Sequence, residues 1–152
     1  MRVLFLCTGN SARSQMAEAL FNAMAAPAHQ AESAGSHPAG YVHPLAISTL
    51  ERFGIAHDQL VSKSLSALTG PFDLVITLCD RAAAEPCPLY TATSRKAHWG
   101  LPDPAAVAGT LAEQQAAFEA VLLTLKERIC ALLRDENHSK HSSGGANSLR
   151  SA

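Results

Sequence analysis

Val3 to Leu6 is a short apolar run of strand-forming type, and Gly9, Asn10 and Ser11 punctuate it at once as a turn. From Ser14 onward Met16, Leu20 and Met24 recur at helical spacing, with Ala17 and Phe21 beside them and Pro27 just past the end. Strand, loop and helix in immediate succession constrain the chain more than any other feature, because each element must bury its apolar side against the other.

The alternation continues downstream. A short strand near Ala31 to Ala34 leads to a turn at Gly35 and then to a helix from Pro44 to Gly54. Pro44 suits a first helical position and Gly54 a C-terminal cap. Asp73 to Leu78, with Val75 and Ile76 inside it, reads as a strand buried on both faces that ends at Cys79. The last helix carries the apolar stripe Phe118, Val121, Leu122, Leu125, Ile129, Leu132 and Leu133, and Thr110 with Glu113 predicts a capping box at its start. Strands alternating with helices over short connections predict an α/β fold, a three-layer doubly wound sheet of about four parallel strands flanked by helices.

A chain of 152 residues suits one domain that buries roughly two thirds of its unfolded surface. With 47% hydrophobic and 16% charged residues it is too apolar for a disordered chain. The domain is expected over residues 1–135. Residues 136–152, polar and rich in Ser and Gly without apolar periodicity, are expected to form a disordered tail. His138 and His141 in that tail lack partners of defined geometry, so solvated side chains are expected there rather than metal ligands. Twelve basic against thirteen acidic side chains give a net charge of -1, which advertises neither a nucleic acid nor an acidic membrane as partner and favours a small ligand. The N-terminal apolar run is too brief to span a membrane and lacks a signal-peptide layout, so a cytoplasmic protein is expected. In that reducing compartment four cysteines are reactive, metal-bound or buried more often than bridged.

The stretch Cys7-Thr8-Gly9-Asn10-Ser11-Ala12-Arg13-Ser14 lies where the first strand turns into the first helix. A loop of this length can wrap its backbone N–H groups around a tetrahedral oxyanion, aided by the helix N-terminus. Arg13 would clamp two oxygens with its planar fork. The same positive surroundings are expected to depress the pKa of Cys7 well below the free thiol value of about 8.5 and so supply a nucleophilic thiolate. Ser14 can donate a hydrogen bond to that thiolate, Asn10 tolerates the left-handed angles of a cradle, and Gly9 gives the turn its freedom. A buried structural Cys followed by an ordinary turn is the competing reading, and the whole string at a strand-to-helix junction argues against it.

The string CTGNSARSQMAE resembles the phosphate-binding loop of low-molecular-weight protein tyrosine phosphatases, and its Ser-Gln-Met-Ala-Glu continuation is most similar to their arsenate reductase branch. Ser33-Ala34-Gly35, Val75 to Cys79, Cys87-Pro88, and His98-Trp99-Gly100 through Asp103-Pro104 follow in the order of that branch, so that the resemblance covers about residues 1 to 134. It implies the phosphatase fold, arsenate as substrate and Asp103 as general acid. Asp103 stands between Pro102 and Pro104, whose rings stiffen the segment. Taken alone, that tripeptide reads as a turn or capping Asp.

Cys79 closes the third strand and Cys87 follows after a segment containing Ala82, Ala83 and Ala84. Ligands of open parallel sheets bind at the C-terminal edge, so Cys79 and Cys7, each ending a strand, can approach one another. In line with the resemblance this suggests a relay. Cys7 attacks arsenate, Cys79 attacks Cys7 and releases arsenite, and Cys87 attacks Cys79. The final disulfide would need the intervening segment to loop out. Simple packing is a serious alternative for both residues, and metal ligation a weaker one, since no Cys-x-x-Cys pair is present. Cys130, among apolar residues of the last helix, is expected to be a core residue. His98 and Trp99 either shape the site or serve as a strand-end His and a packed Trp.

Two departures from the family pattern matter. Position 12 is Ala where many members carry a second Cys, which rules out a disulfide within the loop. Asn10, Glu18 and Ser33 resemble parts of a cation site found in some reductases of the branch, but Lys63 falls where an acidic partner is expected. A lysine ammonium can replace the cation, so neither a metal nor any other cofactor is expected. Thioredoxin fits the Cys79 and Cys87 pair as reductant, while glutaredoxin or a low-molecular-weight thiol could substitute, and a monomer is expected. One rival is a tyrosine phosphatase, against which stand the two extra thiols and the small Ala105 and Ala106 beside Asp103. The other is an oxyanion-binding or thiol-based sensor without turnover.

Overall fold

The computed structural model of the chain describes residues 1–84 and 94–148, with side chains as far as residue 139. Four strands and four helices alternate as β1 (Arg2–Leu6), α1 (Arg13–Ala25), β2 (Gln30–Ala34), α2 (Pro44–Arg52), β3 (Leu74–Thr77), α3 (Asp80–Ala84), β4 (Arg95–His98) and α4 (Leu111–Ser148). The strands form one sheet in the order β2-β1-β3-β4. All three pairings are parallel, with Leu6 opposite Ala34 and Thr77, and Thr77 opposite His98. The chain leaves β1 for β2 on one side and returns to β3 on the other. The winding therefore reverses between β1 and β3, and the crevice at their C-terminal ends is the natural ligand site of such a sheet.

Side chains of each strand alternate between faces. Val3, Phe5, Leu74 and Ile76 meet Met16, Phe21, Leu50, Phe118 and Leu125 from α1, α2 and α4 on one face. Leu4, Leu6 and Val75 meet Phe72, Cys79 and Ala82 on the other, where Leu65 and Leu68 add partial cover. The three longer helices thus share one layer, and the second layer is thin. Phe5, Phe21 and Phe118 are fully buried, each worth about 1.5–3 kcal/mol relative to exposure.

Local signals locate most boundaries. His43 caps α2 by accepting the Leu45 amide at 3.0 Å, and Gly54, at φ 69°, closes it. The Gly54 and Ile55 amides bond back to Glu51 and Leu50 at 3.0 and 2.9 Å, the pairing that ends a helix on a left-handed residue. Thr110 Oγ1 accepts the Glu113 amide at 3.2 Å, and the Glu113 carboxylate takes the Thr110 hydroxyl at 3.2 Å. The α4 stripe is buried from Phe118 to Ile129 and half-covered at Leu132 and Leu133. The helix then continues to Ser148 through the polar segment. β4 has no apolar run, because Arg95, Lys96 and His98 are exposed at a sheet edge. At the opposite edge Asn22 of α1 bonds both the N–H and the C=O of Ala31, at 2.8 and 3.1 Å, and so stands in for a missing neighbouring strand. Among the described residues no helix is long and apolar enough to cross a membrane.

Candidate active site

The loop between β1 and α1 turns its carbonyl oxygens outward. Thr8 O accepts the His37 amide (3.0 Å), Gly9 O the Ala39 amide (2.8 Å) and Ser62 hydroxyl (3.3 Å), Asn10 O the Gln15 amide side chain (3.0 Å), and Ser11 O the His43 amide (2.9 Å). In a trans peptide the N–H points opposite to the C=O, so the N–H groups that follow are turned to the concave side. Among the described residues the amides of Asn10, Ser11, Ala12 and Arg13 meet no backbone or side-chain acceptor, and no side chain caps α1. These donors form a nest for an oxyanion at the N-terminus of a thirteen-residue helix.

Asn10 holds this shape. It is fully buried, and among the described residues it is the non-glycine residue with positive φ, at 46°. Its Nδ2 donates to Ser14 Oγ (2.8 Å) and Ser33 Oγ (3.0 Å), while its Oδ1 accepts the Lys63 amide (2.8 Å) and Gln15 Nε2 (3.0 Å). Ser33 in turn donates to Glu18 at 3.0 Å, and Lys63 Nζ lies 3.5 Å from the same carboxylate. Burial pushes the Glu18 carboxyl up, and Lys63 and Ser33 pull it partly back. Lys63 therefore joins this group twice, through its ammonium at Glu18 and its main-chain N–H at Asn10. Among the described residues no set of three or more His, Cys, Asp or Glu side chains could hold a metal.

Gly9 does not use the conformational freedom expected of it. Its φ is not left-handed and a Cβ there would meet open space. The demanding glycine is Gly35, where a Cβ would lie 2.4 Å from Thr8 O and 2.9 Å from Cys7 O. Only a residue without a side chain lets the end of β2 lie this close beneath the loop. The sequence marks Gly35 as a turn but not as a support of the loop, since nothing local shows which backbone will approach it.

Cys7 follows β1 at 5% exposure and Cys79 follows β3, and the two thiols are close enough for Cys79 to act electrostatically on Cys7. Cys79 Sγ also lies 3.4 Å from Thr8 Oγ1 and accepts the Ala82 amide at 3.4 Å. Arg13 donates to Leu101 O at 3.0 Å and stands 4.0 Å from Asp103. The electrostatics correct the expectation for the nucleophile. Burial pushes the Cys7 thiol above its ordinary value, Arg13 offsets this only in part, and Cys79 adds to the rise. Burial also acts to raise Cys79, but hydrogen bonds from Thr8 and Ala82, together with Arg13, outweigh it and hold that thiol below its ordinary value. The charge of Arg13 is shared with the Leu101 carbonyl and Asp103, which leaves less of it for a thiol desolvated at the end of a buried strand.

Asp103 accepts the Ala105 amide at 3.0 Å, so it caps the turn Pro104–Ala106 and at the same time faces Arg13 with its side chain 46% exposed. Ala105 and Ala106 beside it are exposed and small. His98 bonds Thr77 and Asp80, whereas Trp99 packs against Phe5 at 6.0 Å between ring centroids. Cys130 is half-buried at the margin of the helical layer, not within the core. Cys87 and Pro88 lie outside the described residues.

A buried thiol at the switch point of a parallel sheet, an amide nest on a helix N-terminus and an arginine beside them give this α/β protein a cradle suited to a tetrahedral oxyanion beside a cysteine. The chain belongs to the family of low molecular weight phosphotyrosine protein phosphatases, whose family model matches residues 2–142. It is similar to the arsenate reductase of Halalkalibacterium halodurans, with 38% identity over 128 residues, covering 84% of this chain and 91% of that one. Among solved structures, a thioredoxin-dependent arsenate reductase of Corynebacterium glutamicum matches with TM-score 0.70 and 27% identity, over 91% of this chain and 62% of that longer one. A low molecular weight protein tyrosine phosphatase of T. tengcongensis matches with TM-score 0.73 and 26% identity, over 89% and 99% of the two chains.

Proposed function

We propose that this protein reduces arsenate to arsenite in the cytoplasm, with thioredoxin as electron donor. The fold serves phosphatases and reductases alike, so the observation that carries the proposal is the Cys79 thiol held against Cys7. Phosphoryl transfer to a thiolate needs no second thiol there, whereas reduction does. In the first step the amide nest and Arg13 bind arsenate, the Cys7 thiol passes its proton to an arsenate oxygen as it forms a sulfur–arsenic bond, and an oxygen leaves as water with a proton from Asp103. Cys79, the more readily ionised thiol, then attacks Cys7 Sγ. A sulfur–sulfur bond forms as the sulfur–arsenic bond breaks, its electron pair stays on arsenic, and As(V) leaves as As(III) arsenite. Cys87 attacks Cys79, frees Cys7 and leaves a Cys79–Cys87 disulfide, which the dithiol of thioredoxin reduces by exchange.

The exposed Ala105 and Ala106 beside Asp103 offer no aromatic surface to a phenyl ring, which also favours arsenate over a tyrosine phosphate. The test is arsenate-dependent NADPH oxidation with thioredoxin and thioredoxin reductase, run beside hydrolysis of an aryl phosphate. The proposal expects oxidation with one arsenite per NADPH. Brisk aryl phosphate hydrolysis without oxidation would return the chain to phosphatase chemistry, and oxyanion binding without either reaction would make it a sensor.

A further inference from the structure

Cys79 is flanked by a hydrogen-bonded chain that the reaction steps above do not use. Thr77 Oγ1 lies 2.8 Å from His98 Nδ1, and His98 Nε2 lies 3.0 Å from Asp80 Oδ1. With the Thr77 hydroxyl between Nδ1 and the Ala97 carbonyl, which lies at 3.4 Å, and the imidazole Nε2–H donating to the carboxylate, both ring nitrogens have a partner. The chain joins the last residue of β3, the last residue of β4 and the first residue of α3. Cys79 lies between Thr77 and Asp80, and the α3 turn that Asp80 opens supplies the Ala82 amide at 3.4 Å from Cys79 Sγ. Gly100 leaves the clearance: a Cβ there would come within 3.0 Å of His98 Nε2 and 3.6 Å of Asp80 Oδ1.

We propose that His98 and Asp80 are positioning residues for the resolving thiol, a latch that pins the first turn of α3 so that Cys79 stands at Cys7 with its sulfur on the Ala82 amide. The proposal rests on the relay described above. A single contact between the exposed side chains of Asp80 and His98 adds little to global stability, which suits a latch that must let go when Cys79 turns to Cys87. Its effect is local, on the orientation and ionisation of one sulfur.

The test uses His98→Ala, Asp80→Ala, Asp80→Asn and Gly100→Ala in the full chain, the last to displace the imidazole without removing it. Two quantities are read. The first is the pH midpoint of site-resolved iodoacetamide alkylation of Cys79, measured in a Cys7→Ser background without arsenate. The second is the rate of single-turnover arsenite release with Cys7 present. His98→Ala, Asp80→Ala and Gly100→Ala are expected to raise the midpoint and slow arsenite release by about three- to tenfold. Asp80→Asn keeps an acceptor for the imidazole and is expected to restore both. Midpoints and rates equal to those of the unsubstituted protein in all three disrupting variants would overturn the latch. Unimpaired arsenate cycling by Cys79→Ser would instead remove the relay, while the alkylation midpoints still decide whether His98 and Asp80 position Cys79.

Discussion

Asn10 and Gly35 show how much of the site depends on single residues with no chemistry of their own. Asn10 accepts a left-handed φ of 46° that costs a β-branched or bulky residue dearly, and repays it through bonds to Ser14, Ser33, Gln15 and Lys63. Its role is legible in the sequence, because Asn in a loop between strand and helix suggests both the angle and the bonding. Gly35 is the opposite case. Its importance comes from the Thr8 carbonyl, which stands where a side chain on Gly35 would have to be, although the two residues are 27 positions apart in the chain. Gly35→Ala should cost about 1–3 kcal/mol by overpacking. It should also slow arsenite formation by about tenfold or more, because displaced amides no longer meet the oxyanion. A urea titration beside the thioredoxin-coupled assay checks both, and wild-type rates would show that the loop tolerates the push. The pKa of Cys7 could not be read from the loop's residues. They announce the positive charge, but the desolvation that outweighs it belongs to the buried end of β1.

At the scale of elements, α1 is unusual in burying Ser14, Gln15 and Glu18 along with its apolar residues. Those polar groups explain why it is buried so widely: they tie the helix to β2 and to residues 61–63 beneath the loop. Glu18 makes this pH-dependent. Burial holds its folded pKa above the unfolded value, so between the two values the folded chain binds more protons and stability falls as pH rises. Removing Lys63 should raise the folded value further. Lys63→Ala is therefore expected to lose about 1–3 kcal/mol near neutral pH. The deficit should shrink between neutral and acid pH, as Glu18 takes up a proton and no longer lacks a counter-charge. Urea midpoints at the two pH values test this, and a deficit that grows on acidification would refute it. β1, β2, β3, α1, α2 and the apolar part of α4 are all legible from periodicity and caps. β4 is not, because an edge strand exposed on most of its residues needs no apolar run, and its place is set by pairing with β3.

For the whole molecule, the order β2-β1-β3-β4 decides what the cysteines can do. The two central strands end side by side, and Cys7 and Cys79, 72 positions apart, become neighbours at the switch point. Cys87→Ser should then release one arsenite per enzyme and stop, whereas Cys7→Ser should release none. A burst measured without and with thioredoxin separates the two, and full cycling by Cys87→Ser would sink the relay. The sequence by itself determined the alternation of strands and helices, the oxyanion loop and its place at a strand end, since these rest on periodicities and spacings within a few residues. Only the tertiary structure decided which thiol is ionised more readily, which glycine supports the loop, and that His98 meets Asp80 beside Cys79. Each of these depends on burial or on contact between distant segments, and neither is a property of any local string.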